Sequence, residues 1–409
     1  MHPRPDMCSS QGPPGLEIFQ LTTAPDVPSA HVYMEAQIFT PDSQHLVLHR
    51  SAHPHGSDPK DPDHRYLLCD LDNGGALSPI TQERGATAPS IDPTGEWLYY
   101  FIDNTEPAVG GRLTLRRVRL DGTQRQDVAE IGSVLPAAPG PLSRPYPLST
   151  ISSDGERVAI SGFLGDGSTD DAPWGLLVFQ VNTGAVELIL HGPSWCNVHP
   201  QYSRSQSASH DLLIQQNHGN TCDAQGQFTR LVGGNGADIH VIADDGTNLR
   251  DLPWGRDGNE FCQGHQCWIG ISERALTSTG KREPKAAELI EARAVAHVGH
   301  NGINTPGTTR NDLSRNHAQP DFYHFATCAA GKRLITDAGS KDSSGALWLG
   351  TIPGDETATI EDWTYLCNPG SSWGKMTHIH PFLSPDGNAG FFNSDESGTL
   401  QCYMVRGWE

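Results

Sequence analysis

Phe39-Thr40-Pro41-Asp42-Ser43-Gln44-His45-Leu46-Val47-Leu48 sets an apolar residue, a Pro-Asp turn and an apolar strand in immediate succession. Pro and Asp favour turns because one presets φ and the other bonds its own backbone. The same phrase returns as Ser90-Ile91-Asp92-Pro93-Thr94-Gly95-Glu96-Trp97-Leu98-Tyr99 and as Ile151-Ser152-Ser153-Asp154-Gly155-Glu156-Arg157-Val158-Ala159-Ile160. It returns again as Pro200-Gln201-Tyr202-Ser203 leading to Leu212-Leu213-Ile214, as Cys328-Ala329-Ala330-Gly331-Lys332-Arg333-Leu334-Ile335, and as Leu383-Ser384-Pro385-Asp386-Gly387 leading to Gly390-Phe391-Phe392. A seventh, degenerate copy lies around Cys267-Trp268-Ile269-Gly270. A spacing of roughly 50 to 65 residues suits one four-stranded unit with a variable loop.

Between the copies lie further strand signals, each closed by a Gly-containing turn. Arg65 to Leu71 precedes Asn73-Gly74, Leu113 to Val118 precedes Asp121-Gly122, Leu176 to Phe179 precedes Asn182-Thr183-Gly184, and Ile239 to Ile242 precedes Asp244-Asp245-Gly246. This is the grammar of hairpins. Helical periodicity is confined to Glu283 to Ala296, which reads as a short helix or a charged loop. The chain is therefore expected to be all-β, a single seven-bladed β-propeller domain over residues 1–409. A pair of β-sandwiches is the alternative. Residues 1–14 read as a short flexible N-terminus and residues 300–320 as a long loop insertion, rich in Asn, Thr and Arg.

At 409 residues with 36% hydrophobic content, 44 Gly and 30 Pro, the chain can bury a large core and is heavily punctuated by turns. Its net charge of −20, with no basic run, argues against nucleic acid and anionic membranes as partners. A small anionic substrate needs a site that supplies positive charge locally. The N-terminus shows no secretory signal and no stretch is long and apolar enough to span a bilayer, so a cytoplasmic location is expected. The nine cysteines lack paired metal-binding spacings and read as free thiols.

Four polar constellations stand out. In Thr377-His378-Ile379-His380-Pro381 an extended strand puts both imidazoles on one face and Ile379 on the other, giving paired metal ligands or acid-base groups. His324 lies among aromatics in Asp321-Phe322-Tyr323-His324-Phe325, and His265 follows a glycine in Cys262-Gln263-Gly264-His265-Gln266-Cys267-Trp268. His199 sits in Trp195-Cys196-Asn197-Val198-His199-Pro200. The His378–His380 pair, His324 and His199 each also suit a hydrogen-bonded structural histidine. The sequence has no Gly-x-Ser-x-Gly elbow and no Walker or dinucleotide glycine pattern between strand and helix.

The ordered set of His265 with Trp268, His324 before a turn, and Thr377-His378-Ile379-His380-Pro381 before Ser384-Pro385-Asp386 resembles the oligogalacturonate lyases, propellers of pectin degradation. The opening stretch from Gln20-Leu21-Thr22 through Tyr33 to Asp42 has the same look, and the resemblance spans essentially the whole chain. It implies a divalent metal, most often Mn²⁺, held by His324, His378 and His380, with His265 as catalytic base. The family's fourth ligand, a glutamine, falls here on Lys375, whose ammonium has no lone pair to give; Lys375 is instead the candidate for added positive charge at the reaction centre. Its carboxylate-gripping arginine falls on Asp238 and its glutamate-glycine turn on His218-Gly219. Substrate-binding candidates are His199, His218, and Arg310 and Arg315 of the insertion, either of which could replace the missing arginine.

The function expected on this resemblance is metal-dependent β-elimination on a uronic-acid-containing oligosaccharide, with a histidine taking the C5 proton while the metal neutralises the carboxylate. Two alternatives stand beside it. One keeps a lyase but changes the sugar to another uronoside, such as a rhamnosyl-glucuronate, or to a keto-sugar glycoside. The other is a non-catalytic propeller that binds a glycan or a protein.

Overall fold

The computed structural model describes residues 1–51, 58–107, 109–132, 135–230, 237–254, 260–281, 291–297, 313, 322–338, 345–354, 360, 362–374 and 377–408. Its regular structure is antiparallel β-sheet with three short 3₁₀ turns, and the chain is a single-domain all-β propeller. No described helix is long and apolar enough to cross a membrane.

Every repeat turn read from the sequence closes in the same way. The amide at the start of the turn donates to the carbonyl of the strand that follows: Thr40 to His45, Asp92 to Trp97, Ser152 to Arg157, Ser203 to Asp211, Ile269 to Arg274, Cys328 to Arg333 and Ser384 to Ala389. In most copies a turn side chain joins in, as where the Asp42 carboxylate accepts from the Gln44 amide at 3.0 Å and from the Thr40 hydroxyl at 2.5 Å. The turn thus fixes the angle between the inner strand of each unit and the next strand outward.

Seven blades were expected, and the described residues form six large sheets instead. Four of them have four strands each, the sheet that closes the ring has five, and one has seven. The difference lies in that seven-stranded sheet, which runs from Gln201–Tyr202 to Glu291–His297 and takes in two sequence units. Strand Ala237–Ala243 of one unit meets strand Glu260–Trp268 of the next through the single pair Ala237 and Cys262. One shared rung makes two repeats a continuous sheet, which turn spacing alone cannot foretell.

The helical reading of Glu283 to Ala296 is also corrected. Glu291–His297 is a strand paired along Arg274–Lys281, while residues 282–290 lie outside the described residues. The alternation of Ala292, Ala294 and Ala296 with larger residues was a strand period beneath helix-favouring composition. The insertion at 300–320 lies outside the described residues except for Leu313, which is buried.

Ring closure joins the two ends of the chain. Strand Glu17–Gln20 pairs with Gln401–Arg406, burying Ile18 against Tyr403 and Val405. The N-terminus, expected as a flexible tail, adds His2–Pro3 outside that strand, and Arg4 forms an ion pair with Glu396. Pairing Glu17–Gln20 with the last strand closes the ring.

Candidate metal centre

The site is built where the inner strands break their register. In the unit ending at residue 394, the Asn393 amide donates to Ile379 O at 2.9 Å, yet Phe382 pairs with Phe391, so one extra residue is held at His380-Pro381. The same count holds at His199-Pro200, between the Gln215 amide on Val198 O and the pair Gln201 with Leu213. A two-residue shift falls between Cys262 and Gln266, around Gly264-His265. These are β-bulges, which re-aim side chains. They rest on left-handed backbone: φ is +45° at His380, +48° at His199 and +90° at Gly264. A non-glycine residue there costs about 1–3 kcal/mol, a strain that concentrates at functional sites.

The bulges bring four histidines together. Ring centroids lie 4.3 Å apart for His324 and His380, 5.4 Å for His324 and His378, 5.4 Å for His378 and His380, and 4.6 Å for His265 and His324. One nitrogen from each of His324, His378 and His380 falls within 4.8 Å of the other two. His324 and His380 are buried and His378 is half-buried.

Asp337, fully buried, orients His324. Its carboxylate accepts from the His324 amide at 2.7 Å and from the ring at Nδ1 at 2.8 Å. That fixes the tautomer and leaves Nε2 with a lone pair, the arrangement that supports metal-bound imidazoles. Burial raises the Asp337 carboxyl, and the His324 amide and His378 pull it back toward the carboxylate form. Burial also holds His324 and His265 well below the ordinary histidine range, with further lowering from His378 at His324 and from His324 at His265. Neutral imidazoles are the form that binds a cation or accepts a proton.

His265 differs from the trio. Its Nδ1 is buried without a hydrogen-bond partner among the described residues, and the residue as a whole is half-buried. Its carbonyl accepts from the Thr277 hydroxyl at 2.8 Å, which pins the bulge. Gly264 is required there, because a Cβ on it would stand 3.1 Å from Gln215 Oε1 in addition to the left-handed φ.

The opposite wall carries His199. Its Nδ1 lies 2.7 Å from Glu35 and its Nε2 2.9 Å from Asn197 Oδ1, all three side chains being buried. Tyr33 bridges the walls, with its ring 5.5 Å from His199 and 4.8 Å from His380. Trp373, another left-handed residue at φ +56°, flanks His378 at 5.8 Å and His324 at 6.4 Å.

His265, His324, His378 and His380 thus converge, and His199 joins them through Tyr33. His218 stands in a separate pair, its Nε2 3.0 Å from Asp238 Oδ2. Two of the three positions at which the sequence departs from the oligogalacturonate lyase pattern, His218 and Asp238, are therefore partners of each other. Lys375, Arg310 and Arg315 lie outside the described residues. Sequence reading missed Asp337, Glu35, Tyr33 and Trp373. Only Asp337 left a signal, an acid within the apolar strand Arg333–Ala338.

No protein-family model matches the chain, and neither does any curated protein. Solved structures do. An oligogalacturonate lyase in complex with manganese is 18% identical with a TM-score of 0.71, covering 98% of this chain and 94% of that one. An oligogalacturonate lyase from Vibrio parahaemolyticus is 15% identical with a TM-score of 0.69, covering 98% and 95%. The propeller domain of the Trilobed protease from Pyrococcus furiosus is 11% identical with a TM-score of 0.54, covering 93% and 96%. The chain has the fold of the oligogalacturonate lyases, and the resemblance read from its sequence holds at that level.

Proposed function

We propose that the protein is a metal-dependent lyase that cleaves uronic-acid-containing oligosaccharides by β-elimination. The observation that carries this reading is the three-histidine cluster with a fourth, more open histidine 4.6 Å from His324. The donor set fits a divalent cation of manganese type. Three neutral nitrogens converge, one backed by a buried carboxylate.

His324, His378 and His380 would hold the cation. Once bound, it supplies Lewis-acid neutralisation of the uronate carboxylate beside C5, an electrostatic contribution of about 3–4 kcal/mol by analogy with other oxyanion stabilisers. His265 takes the C5 proton at Nε2, and burial keeps it neutral for that task. The C5–H electron pair becomes the C4–C5 double bond, the C4–O bond breaks, and the departing oxygen collects a proton from channel water. The products are a 4,5-unsaturated uronate and a shortened sugar. The bulge at Gly264-His265 sets the reach of the base, and Asp337 keeps His324 from turning its protonated nitrogen toward the cation. His199, buried with both ring nitrogens bonded to Glu35 and Asn197, braces the facing wall behind Tyr33. Lys375 adds positive charge beside the cation, and Arg310 or Arg315 grips the substrate carboxylate.

Oligogalacturonate is the substrate the fold favours. A second reading keeps the elimination and changes the uronoside, and the His218–Asp238 pair favours it, since an acid stands where the resemblance places the carboxylate-gripping arginine. Ultraviolet absorbance of the conjugated double bond, on di- and trigalacturonate and a rhamnosyl-glucuronate with and without manganese, separates the two. A metal-dependent rise on either sugar supports the lyase and names the substrate. Silence on all of them with metal bound removes it.

A further inference from the structure

The inner strands that carry the histidines continue past them into a second chamber. Tyr33 leads to Met34 and Ala36, His324 to Ala326 and Thr327, and His380 to Phe382 and Leu383. Together with Ile38, Phe39, Ile91 and Ile271 these residues line a cavity of about 250 Å³ on the repeat-turn side of the ring. Its wall is mainly apolar, with Gln37, Asp92, Ser153, Gln206 and Thr327 among the lining, and Arg204 is its one cation.

Arg204 has no counter-ion. It makes no hydrogen bond, ion pair or aromatic contact with any described residue, although it is largely covered. The one acid lining the chamber, Asp92, is spent on its own turn, accepting from the Thr94 hydroxyl at 2.5 Å and from the Glu96 and Trp97 amides at 2.9 and 2.8 Å. The nearby thiol of Cys267, pushed up to about 12 by burial, carries no charge to offset it. A guanidinium cannot shed its proton at working pH, so a half-buried one without a protein partner is a standing cost. The chain nevertheless fixes it in place. Ser203 Oγ accepts the Ser205 amide at 3.1 Å, the Ser153 hydroxyl donates to Ser205 O at 2.8 Å, and Gln206 donates to Ser153 O. Arg204 is thus clamped between two units with its head in an apolar chamber.

We propose that this chamber is a binding site for a small organic carboxylate with an apolar body, which pairs with Arg204 and packs against Met34, Phe39, Ile91 and Phe382. Hydrophobic walls with one placed charge are the usual composition of such sites. The carboxylate supplies the missing acceptor, in a fork geometry that guanidinium suits. In a chain of net charge −20, this local cation is what admits an anion at all. The site stands apart from the histidine cluster and does not depend on the proposed elimination.

Isothermal titration calorimetry with benzoate, hexanoate and the neutral isostere benzamide tests the site on the whole protein. Saturable one-to-one binding of benzoate or hexanoate is expected, with benzamide at least tenfold weaker. Arg204→Met should abolish carboxylate binding while raising the melting temperature of the ligand-free protein, because it removes an unpaired charge; Arg204→Lys should bind at least tenfold more weakly than wild type. If Arg204→Met does not fold, Arg204→Gln replaces it, with the same loss of binding expected. The proposal is overturned if neither carboxylate binds folded wild-type protein, if benzamide binds equally well, or if a folded Arg204 variant keeps full affinity.

Discussion

Asp337 receives two hydrogen bonds from a single residue, the amide of His324 at 2.7 Å and its ring Nδ1 at 2.8 Å. One bond sets the backbone of the inner strand and the other sets the ring upon it, so a single carboxylate fixes both the place and the tautomer of a metal ligand. Replacing that carboxylate by an amide keeps the shape and loses the charge. Asp337→Asn is expected to weaken manganese binding about 10- to 100-fold. Competition against a chelator measures it, and unchanged affinity would separate Asp337 from the site.

His265 is expected to act on the substrate and not on the metal. His265→Gln should lower elimination by about 10²- to 10⁴-fold, the usual contribution of a positioned general base. Manganese affinity should stay at the wild-type value. A variant that eliminates at the wild-type rate would assign the base elsewhere.

Gly264 links backbone strain to that base. Alanine there must adopt φ +90° and set its Cβ 3.1 Å from Gln215 Oε1. Gly264→Ala is expected to cost about 1–3 kcal/mol in urea unfolding and to lower kcat as the bulge shifts. Metal binding, which uses other strands, should persist.

Acid should destabilise the metal-free protein in a way that can be traced to one residue. His31 is fully buried, edge-on to Phe382 at 4.6 Å, and burial holds it down to about 3. Its pKa is lower in the fold than in the unfolded chain, so the unfolded chain takes up the proton first as the pH falls below about 6.5. The stabilisation is complete above that pH and is lost progressively toward pH 3. Each such histidine contributes a slope of about 1.4 kcal/mol per pH unit. Urea unfolding at several pH values in EDTA should show His31→Phe with a shallower slope than wild type; an equal slope would mean that His31 is protonated in the fold.

The propeller could be read from the sequence because its turns are local. Thr40-Pro41-Asp42 and its copies name both the bend and the strand that follows, and all of these turns close as the spacing implies. The number of sheets could not be read, because it hangs on the single rung between Ala237 and Cys262. The strand at Glu291–His297 was masked by alanine and charge, whose helix propensity its sheet partner overrides. At the site, His378 and His380 were legible from their two-residue spacing, and His265 and His324 from the family resemblance. Glu35 and Tyr33 were not, since each reaches the centre from a distant part of the chain, and Asp337, on the strand paired beside His324, was hidden as one acid in an apolar strand. Glu35 and His199 are 164 residues apart along the chain and 2.7 Å apart in the fold. The His-Pro pairs at 199–200 and 380–381 did mark the bulges, for in each the histidine ahead of the proline is the one turned into the left-handed region.

The central claim is that the bulged inner strands assemble one divalent-cation site from His324, His378 and His380. Manganese content after loading and gel filtration, measured for wild type, His380→Ala and His265→Ala, tests it most directly. One manganese per chain in wild type and in His265→Ala, with none in His380→Ala, is the predicted result. Wild-type protein that retains no manganese, or His380→Ala that retains a full equivalent, would contradict it.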